Sequence, residues 1–327
     1  MSADTEQLTD ALQKHFGFST FLEGQDEAVS HVLNGTDTVV IMPTGSGKSL
    51  CYQLTSLLLD GITIVVSPLI ALMKDQVDGL AQKKIPTTFI NSTLSAHEMF
   101  ERLDGIERGE YKLVYVAPER FRNQRFMNLL RSINVSLLAV DEAHCISQWG
   151  HDFRPDYLRI HLVVNELPHA RVMALTATAT PQVREDIATQ LQLGQNGRPE
   201  PQILVHGFSR PNLSLNVTRA SSHQIKLDRI REVVEQHETG IIYCSTRKQT
   251  ERVCKSLKGL KQACGMYHGG MSDEDRKKVQ DRFMDGRLSV VAATNAFGMG
   301  VDRADLRFVI HWDIPGSIEA YYQEVGR

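Results

Sequence analysis

Thr38-Val39-Val40-Ile41-Met42-Pro43-Thr44-Gly45-Ser46-Gly47-Lys48-Ser49 is the stretch that decides the fold. Its first five residues read as a buried strand, and a helix-like run, Leu50–Leu59, follows its end. Between them a glycine-bearing segment must turn the chain tightly. In that setting the backbone N–H groups of Thr44, Gly45, Ser46 and Gly47 curl around a β-phosphate. Lys48 neutralises the β and γ oxygens, and Ser49 ligates Mg²⁺. The general motif has glycine where Met42 stands. A glycine-rich turn with a surface lysine is the bland reading, and the order strand, Gly-Lys-Ser, helix argues against it.

Similar apolar runs recur along the chain. Candidate strands are Thr38–Met42, Ile62–Val66, Leu113–Ala117, Leu137–Val140 and Val172–Leu175, then Gly240–Cys244, Ser289–Ala293 and Phe308–His311. Helix-like stretches lie between them, among them Gln182–Leu191, Leu227–Gln236 and Glu274–Phe283. Thr180-Pro181 supplies an N-cap and a first-turn proline for the helix from Gln182. Alternation of this kind predicts α/β architecture with mainly parallel sheets. Loop composition over 194–201, and a second break over 207–212, place a boundary at about 208. The expectation is two α/β domains, 1–208 and 209–327.

The 327 residues suffice for two domains, and 42% hydrophobic with 23% charged residues is a globular composition. Net charge is −3, so a nucleic-acid surface must be local. The five cysteines include no C-x-x-C pair, which predicts reduced thiols and no zinc framework. The start, Met1-Ser2-Ala3-Asp4-Thr5-Glu6, lacks a basic region and an apolar core, and no stretch approaches the ~20 apolar residues of a membrane span. A cytoplasmic protein without a membrane partner is expected.

The run Ser136-Leu137-Leu138-Ala139-Val140 should deliver Asp141-Glu142 to the carboxyl end of a buried strand. Downstream of a phosphate loop, Asp141 has a natural role in holding Mg²⁺, directly or through water. Glu142 would orient and deprotonate an attacking water. Alone, such a pair is usually a solvated strand end.

In order along the chain stand the phosphate loop, Asp141-Glu142-Ala143-His144, Ala174-Leu175-Thr176-Ala177-Thr178 and Tyr321-Tyr322-Gln323-Glu324-Val325-Gly326-Arg327. This series resembles superfamily 2 helicases. Ser147-Gln148-Trp149-Gly150-His151-Asp152-Phe153-Arg154-Pro155 is similar to a loop specific to the RecQ family of DNA helicases. So are the segments 67–76, 117–120 and 296–300. The resemblance covers the chain from about Phe16 to Arg327.

It implies two tandem RecA-like domains, ATP and Mg²⁺ as cofactors, and 3′–5′ unwinding of DNA in repair and recombination. Single-stranded and partly duplex DNA would be the partners, with a single-strand binding protein as a further candidate. Gln25 would read adenine with Phe18 packed on the base, although Leu22 replaces the family's arginine. The alternative for Gln25 is a loop residue facing solvent. His144 would link the nucleotide site to the DNA side, and Thr176 and Thr178 would couple the domains. Gln148, Trp149, His151, Phe153 and Arg154 would sense DNA, since base stacking on aromatics tolerates any sequence. Lys74, Arg120, Ser245, Arg247, Thr294 and Arg303 are candidate DNA contacts, and Asp302 would touch ribose. For each cation, a solvated surface position is the bland alternative.

The resemblance also gives Arg327 a catalytic role, but the family's last motif continues past it to a further arginine. An incomplete second domain with an exposed sheet edge is therefore expected, binding ATP yet hydrolysing it poorly. The alternative function is a nucleotide-switched DNA-binding fragment; a related RNA helicase is a third reading, which the aromatic loop disfavours.

Overall fold

The computed structural model describes residues 5–150, 152–207, 210–261, 263–297 and 303–327, with the backbone alone at Ala71 and Asp273. The chain divides into two units, Met1–Ser209 and Arg210–Arg327. The boundary expected at about 208 falls on Phe208 and Ser209, which lie outside the described residues.

In the first unit the order is α1 (Thr5–Phe16), α2 (Gln25–Leu33), β1 (Thr38–Ile41), α3 (Lys48–Leu58), β2 (Ile62–Val66), α4 (Ile70–Gln82) and β3 (Thr87–Ile90). Then come α5 (Ala96–Glu107), β4 (Leu113–Val116), α6 (Gln124–Ser132), β5 (Val135–Val140), α7 (Ile160–Glu166), β6 (Arg171–Thr176), α8 (Pro181–Gln190) and β7 (Gln202–Val205). The strands form one seven-stranded sheet in the order β3-β4-β2-β5-β6-β1-β7, and every pairing is parallel. Successive residues of β1, Val39 and Val40, enter apolar clusters on opposite faces of the sheet. Burial on both faces explains why the inner strands read as nearly continuous apolar runs. Local signals set the helix starts. Thr180 Oγ1 accepts from Val183 N and Pro181 opens α8, whereas Ser95 and Glu98 close a reciprocal capping box on α5.

The second unit contains α9 (His223–His237), β8 (Gly240–Tyr243), α10 (Arg247–Ser256), β9 (Cys264–Tyr267), α11 (Asp273–Met284), β10 (Val290–Ala293), β11 (Phe308–His311) and α12 (Ile318–Val325). Its four strands are parallel in the order β11-β8-β10-β9. Apolar clusters again lie on both faces, one built on Ile242 and Ala292, the other on Ile241 and Val291.

All eight expected strands are present. The expected set lacked β3, β7 and β9, and all three are edge strands. β7 is exposed over half its length, β3 alternates buried and half-buried positions, and β9 carries Gly265. An edge strand needs less apolar surface, so its signal is weaker. Among the described residues no helix is long and apolar enough to cross a membrane.

Candidate nucleotide and nucleic-acid site

The phosphate loop starts where β1 leaves the sheet, after Met42 N donates to Thr176 O at 3.1 Å. Gly45 and Gly47 take φ of 81° and 69°, left-handed values that side chains disfavour. A Cβ on Gly47 would lie 2.7 Å from Gln25 Nε2. Ser46 Oγ donates to Pro43 O at 2.7 Å, tightening the turn. Lys48 opens α3, and its ammonium curls back to donate to Met42 O and Pro43 O at 3.0 and 3.1 Å. Backbone N–H groups at the helix start and this cation together make an anion cradle.

Gln25 does not face solvent. It is 2% exposed, and Nε2 donates to Ser46 O at 2.8 Å and Gly47 O at 3.3 Å, while Oε1 accepts from Leu22 N at 2.9 Å. The amide thus clasps residues 22–25 onto the phosphate loop. Phe18 and Leu22 remain exposed beside it.

β5 delivers the carboxylates. Val140 pairs with Val66 and Ala174, and Asp141 N donates to Val66 O at 2.9 Å. Tyr157, buried just after the aromatic segment, donates its hydroxyl to Asp141 O at 2.9 Å. Burial pushes the Asp141 carboxyl up, the adjacent Glu142 charge adds to this, and the Lys48 charge opposes it. Glu142 sits at φ 48°, a left-handed conformation that costs roughly 1 kcal/mol or more outside glycine. Its Oε2 is buried without a hydrogen bond, 3.3 Å from His144 Nδ1. A buried, undercompensated carboxylate, a strained neighbour with an orphaned oxygen, and the Ser49 hydroxyl at the start of α3 are hard oxygen donors that fit a divalent cation such as Mg²⁺.

His144 is buried. Its Nδ1 lies 2.9 Å from Thr176 Oγ1, and that hydroxyl donates to Thr178 O at 3.1 Å. With the hydroxyl proton engaged there, Nδ1 must be the donor, which puts the proton of a neutral ring on Nδ1. Glu142, His144 and Thr176 therefore form one chain of contacts. The Thr178 hydroxyl is buried without a hydrogen-bond partner.

The aromatic loop leaves from this point. Cys145, Ile146 and Ser147 are buried, and then Gln148 and Trp149 emerge, Trp149 at 69% exposure. A Cβ on Gly150 would lie 2.5 Å from His144 O, so only glycine lets the loop fold back this closely. Phe153 is half-buried. Arg154 is not an open phosphate contact: its guanidinium pairs with Asp152 at 2.9 Å and donates to Pro68 O at 3.1 Å, tying the loop to the segment before α4. His151 lies outside the described residues. Lys74 is exposed on α4, whereas Arg120 is half-buried and donates to Asn91 O.

In the second unit, Ser245, Asn295 and Asp313 line a cleft of about 240 Å³ at the carboxyl ends of β8, β10 and β11. Arg247 is exposed at the start of α10 and rests against Gly270, and Thr294 is half-buried after β10. Arg303 corrects the expectation of a surface cation. It donates to Phe283 O and Leu288 O at 2.6 and 2.8 Å and pairs with Asp305, so its guanidinium holds the fold together. Arg327 is half-buried, with its charge acting on the Tyr243 hydroxyl. Asp302 and residues 298–301 lie outside the described residues. Sequence reasoning missed Tyr157, Asp152 and Pro68 as supports of the site; the Asp152–Arg154 spacing was the one visible signal.

Residues 22–187 match the DEAD/DEAH box helicase family, and residues 225–327 match the helicase conserved C-terminal domain. The ATP-dependent DNA helicase RecQ of Bacillus subtilis is 48% identical over 320 residues, covering 97% of this chain and 53% of that protein. The chain belongs to the RecQ family of DEAD/DEAH box helicases. It spans about half the length of the curated RecQ relatives it matches. Among solved structures, Mycobacterium smegmatis helicase Lhr bound to ssDNA and AMP-PNP superposes with a TM-score of 0.76 at 23% identity, covering 99% of this chain and 46% of that one. Mss116p bound to ssRNA and AMP-PNP gives 0.75 at 15% identity, covering 100% and 72%. At such identities the likeness speaks for the fold, two RecA-like domains, and not for the choice between DNA and RNA.

Proposed function

We propose that this chain is the core of an ATP-dependent 3′–5′ DNA helicase, coupling ATP hydrolysis to movement along single-stranded DNA and to duplex unwinding. The observation that carries the reading is the continuous contact from Glu142 through His144 to Thr176, with the exposed Trp149 loop leaving from His144 itself. Catalytic carboxylate and candidate DNA sensor are thereby joined by a few bonds. The RecQ relatives are named ATP-dependent DNA helicases, which favours DNA over RNA as the track.

The loop N–H groups of residues 44–48 and the Lys48 ammonium would hold the β- and γ-phosphates. Ser49 and Asp141 would hold Mg²⁺, which when bound neutralises phosphate charge. Glu142 orients the attacking water and takes its proton. Its left-handed backbone and neighbouring His144 fix where that carboxylate points. Gln25 braces the loop, so the nucleotide site and the segment from Phe18 to Gln25 move together. Trp149 offers a face for base stacking, which is sequence-tolerant. Arg327, Ser245, Arg247 and Thr294 are assigned to the second unit's share of nucleotide and DNA contacts.

The test is ATP hydrolysis by the chain with single-stranded DNA, duplex DNA or RNA of equal length. Stimulation by single-stranded DNA is expected to exceed that by RNA by about tenfold or more. Equal stimulation by RNA would replace the DNA reading, and no nucleotide binding would remove the enzyme reading altogether.

A further inference from the structure

The buried start of the aromatic loop holds a second donor set, chemically unlike the oxygen donors of the nucleotide site. One atom each from His144, Cys145 and Asp152 lies within 4.8 Å of the other two. Cys145 Sγ is 3.7 Å from His144 Nε2 and 3.8 Å from Asp152 Oδ2. In a tetrahedral site with metal–sulfur bonds of about 2.3 Å and metal–nitrogen or metal–oxygen bonds near 2.0–2.1 Å, donors stand roughly 3.6 Å apart. The three side chains already approximate a face of that tetrahedron.

The histidine is also prepared for ligation. Thr176 draws the ring proton to Nδ1, and the Glu142 carboxylate lies 3.3 Å from the same nitrogen. A carboxylate and a hydroxyl on the far nitrogen are the partners that orient a metal-binding imidazole and raise its basicity. Nε2, the nitrogen that then carries the lone pair, is the one facing Cys145. Carboxylates of Asp152 and Glu142 put negative charge around the thiol. A sulfur ligand disfavours Mg²⁺ and selects zinc-class ions.

We propose that His144, Cys145 and Asp152 form a binding site for a thiophilic divalent cation of the zinc class, and that its occupation resets the aromatic loop. On binding, the Cys145 thiol gives its proton to solvent and a metal–sulfur bond forms; no electron is transferred. The cation competes for the Asp152 carboxylate with Arg154, whose Nε and Nη2 both donate to Oδ2. Arg154 then keeps Pro68 O alone, and the segment carrying Trp149 is held from His144–Cys145 instead. Only this loop consequence rests on the helicase reading.

Cobalt(II) reports the site directly. Titrated into the full chain carrying Cys254→Ser and Cys264→Ser, it should give a near-ultraviolet thiolate-to-cobalt charge-transfer band that saturates at one equivalent and is displaced by zinc. Adding Cys145→Ser should abolish the band. Asp152→Asn, at a half-exposed position, should weaken cobalt affinity by about tenfold or more, with circular-dichroism melting to confirm that each variant folds. No band, or a band unchanged by Cys145→Ser, overturns the site. In a second arm, buffered zinc should depress DNA-stimulated hydrolysis in the parent and not in the Cys145→Ser variant. Zinc binding without effect on stimulated turnover overturns the loop consequence, while absence of any DNA-stimulated turnover indicts the helicase reading and leaves the cobalt result standing.

Discussion

The Nδ1 atom of His144 lies 2.9 Å from the hydroxyl of Thr176, joining two segments 32 residues apart. β5 and β6 are neighbours in the sheet, so Thr176, the last residue of β6, meets the segment that follows β5. Thr176→Val keeps the shape of the side chain and removes the acceptor. DNA-stimulated kcat should fall by about tenfold, the worth of one such bond, with KM for ATP little changed. A rise in KM at unchanged kcat would show that the pair serves nucleotide binding instead.

Lys48→Ala should lower ATP turnover by about 10²–10³-fold or more, because the ammonium is the cationic side chain at the centre of the loop. Its ammonium donates to the loop carbonyls of Met42 and Pro43, and replacing it opens no apolar cavity, so the melting temperature should shift by only a few degrees. Parental nucleotide affinity in the variant would remove the phosphate-loop assignment.

Asp141→Asn should separate stability from function. Burial and Glu142 push the Asp141 carboxyl from 3.8 up to about 7. The folded state therefore binds this proton more tightly than the unfolded state does. The stability it contributes is fully present below about 4 and is lost as pH rises through about 7. Urea midpoints of the Mg²⁺-free protein measured across that window should decline with pH in the parent and flatten in the asparagine variant. The variant should melt higher than the parent at pH 8 yet hydrolyse no ATP; a lower melting point there would contradict the cost assigned to the buried charge.

Trp149→Ala removes a side chain that is 69% exposed, so melting should not change. Affinity for single-stranded DNA should fall by the ~1–3 kcal/mol of a lost stacking platform. Fluorescence-anisotropy titrations check this, and identical DNA affinities would reduce the loop to a packing element.

Arg303→Ala should act on the second unit's stability and not on DNA. Phe283 O and Leu288 O lose their donor, at a cost of roughly 2–3 kcal/mol. Well below the melting temperature, DNA affinity should match the parent. A selective loss of DNA binding in a fully folded variant would restore Arg303 to the surface role.

The inner strands were legible because each is buried on both faces and is mostly apolar, as Ile62–Val66 and Gly240–Tyr243 are. Of the edge strands, β11 was read because Phe308-Val309-Ile310 is an apolar run, whereas β3, β7 and β9 were not, their apolar patterns being short or broken by Thr, Gln and Gly. The strand-turn-helix over Thr38–Leu58 and the placing of Asp141-Glu142 at the end of β5 were equally readable. Each lies on consecutive residues, so spacing along the chain is spacing in the fold.

Side chains that act across the fold were read less well. Gln25 and Arg303 are an ordinary polar residue and an ordinary cation in sequence, and nothing local says that one clasps Ser46 or that the other holds Phe283 and Leu288. By itself the sequence determined the α/β class, the phosphate loop and the family, because these depend on periodicity and on runs of adjacent residues. Only the tertiary structure decided which polar groups are engaged inward, which tautomer His144 carries, and that its other nitrogen faces Cys145. Those properties depend on partners that the parallel sheet brings together from distant positions, and no local pattern along the chain encodes them.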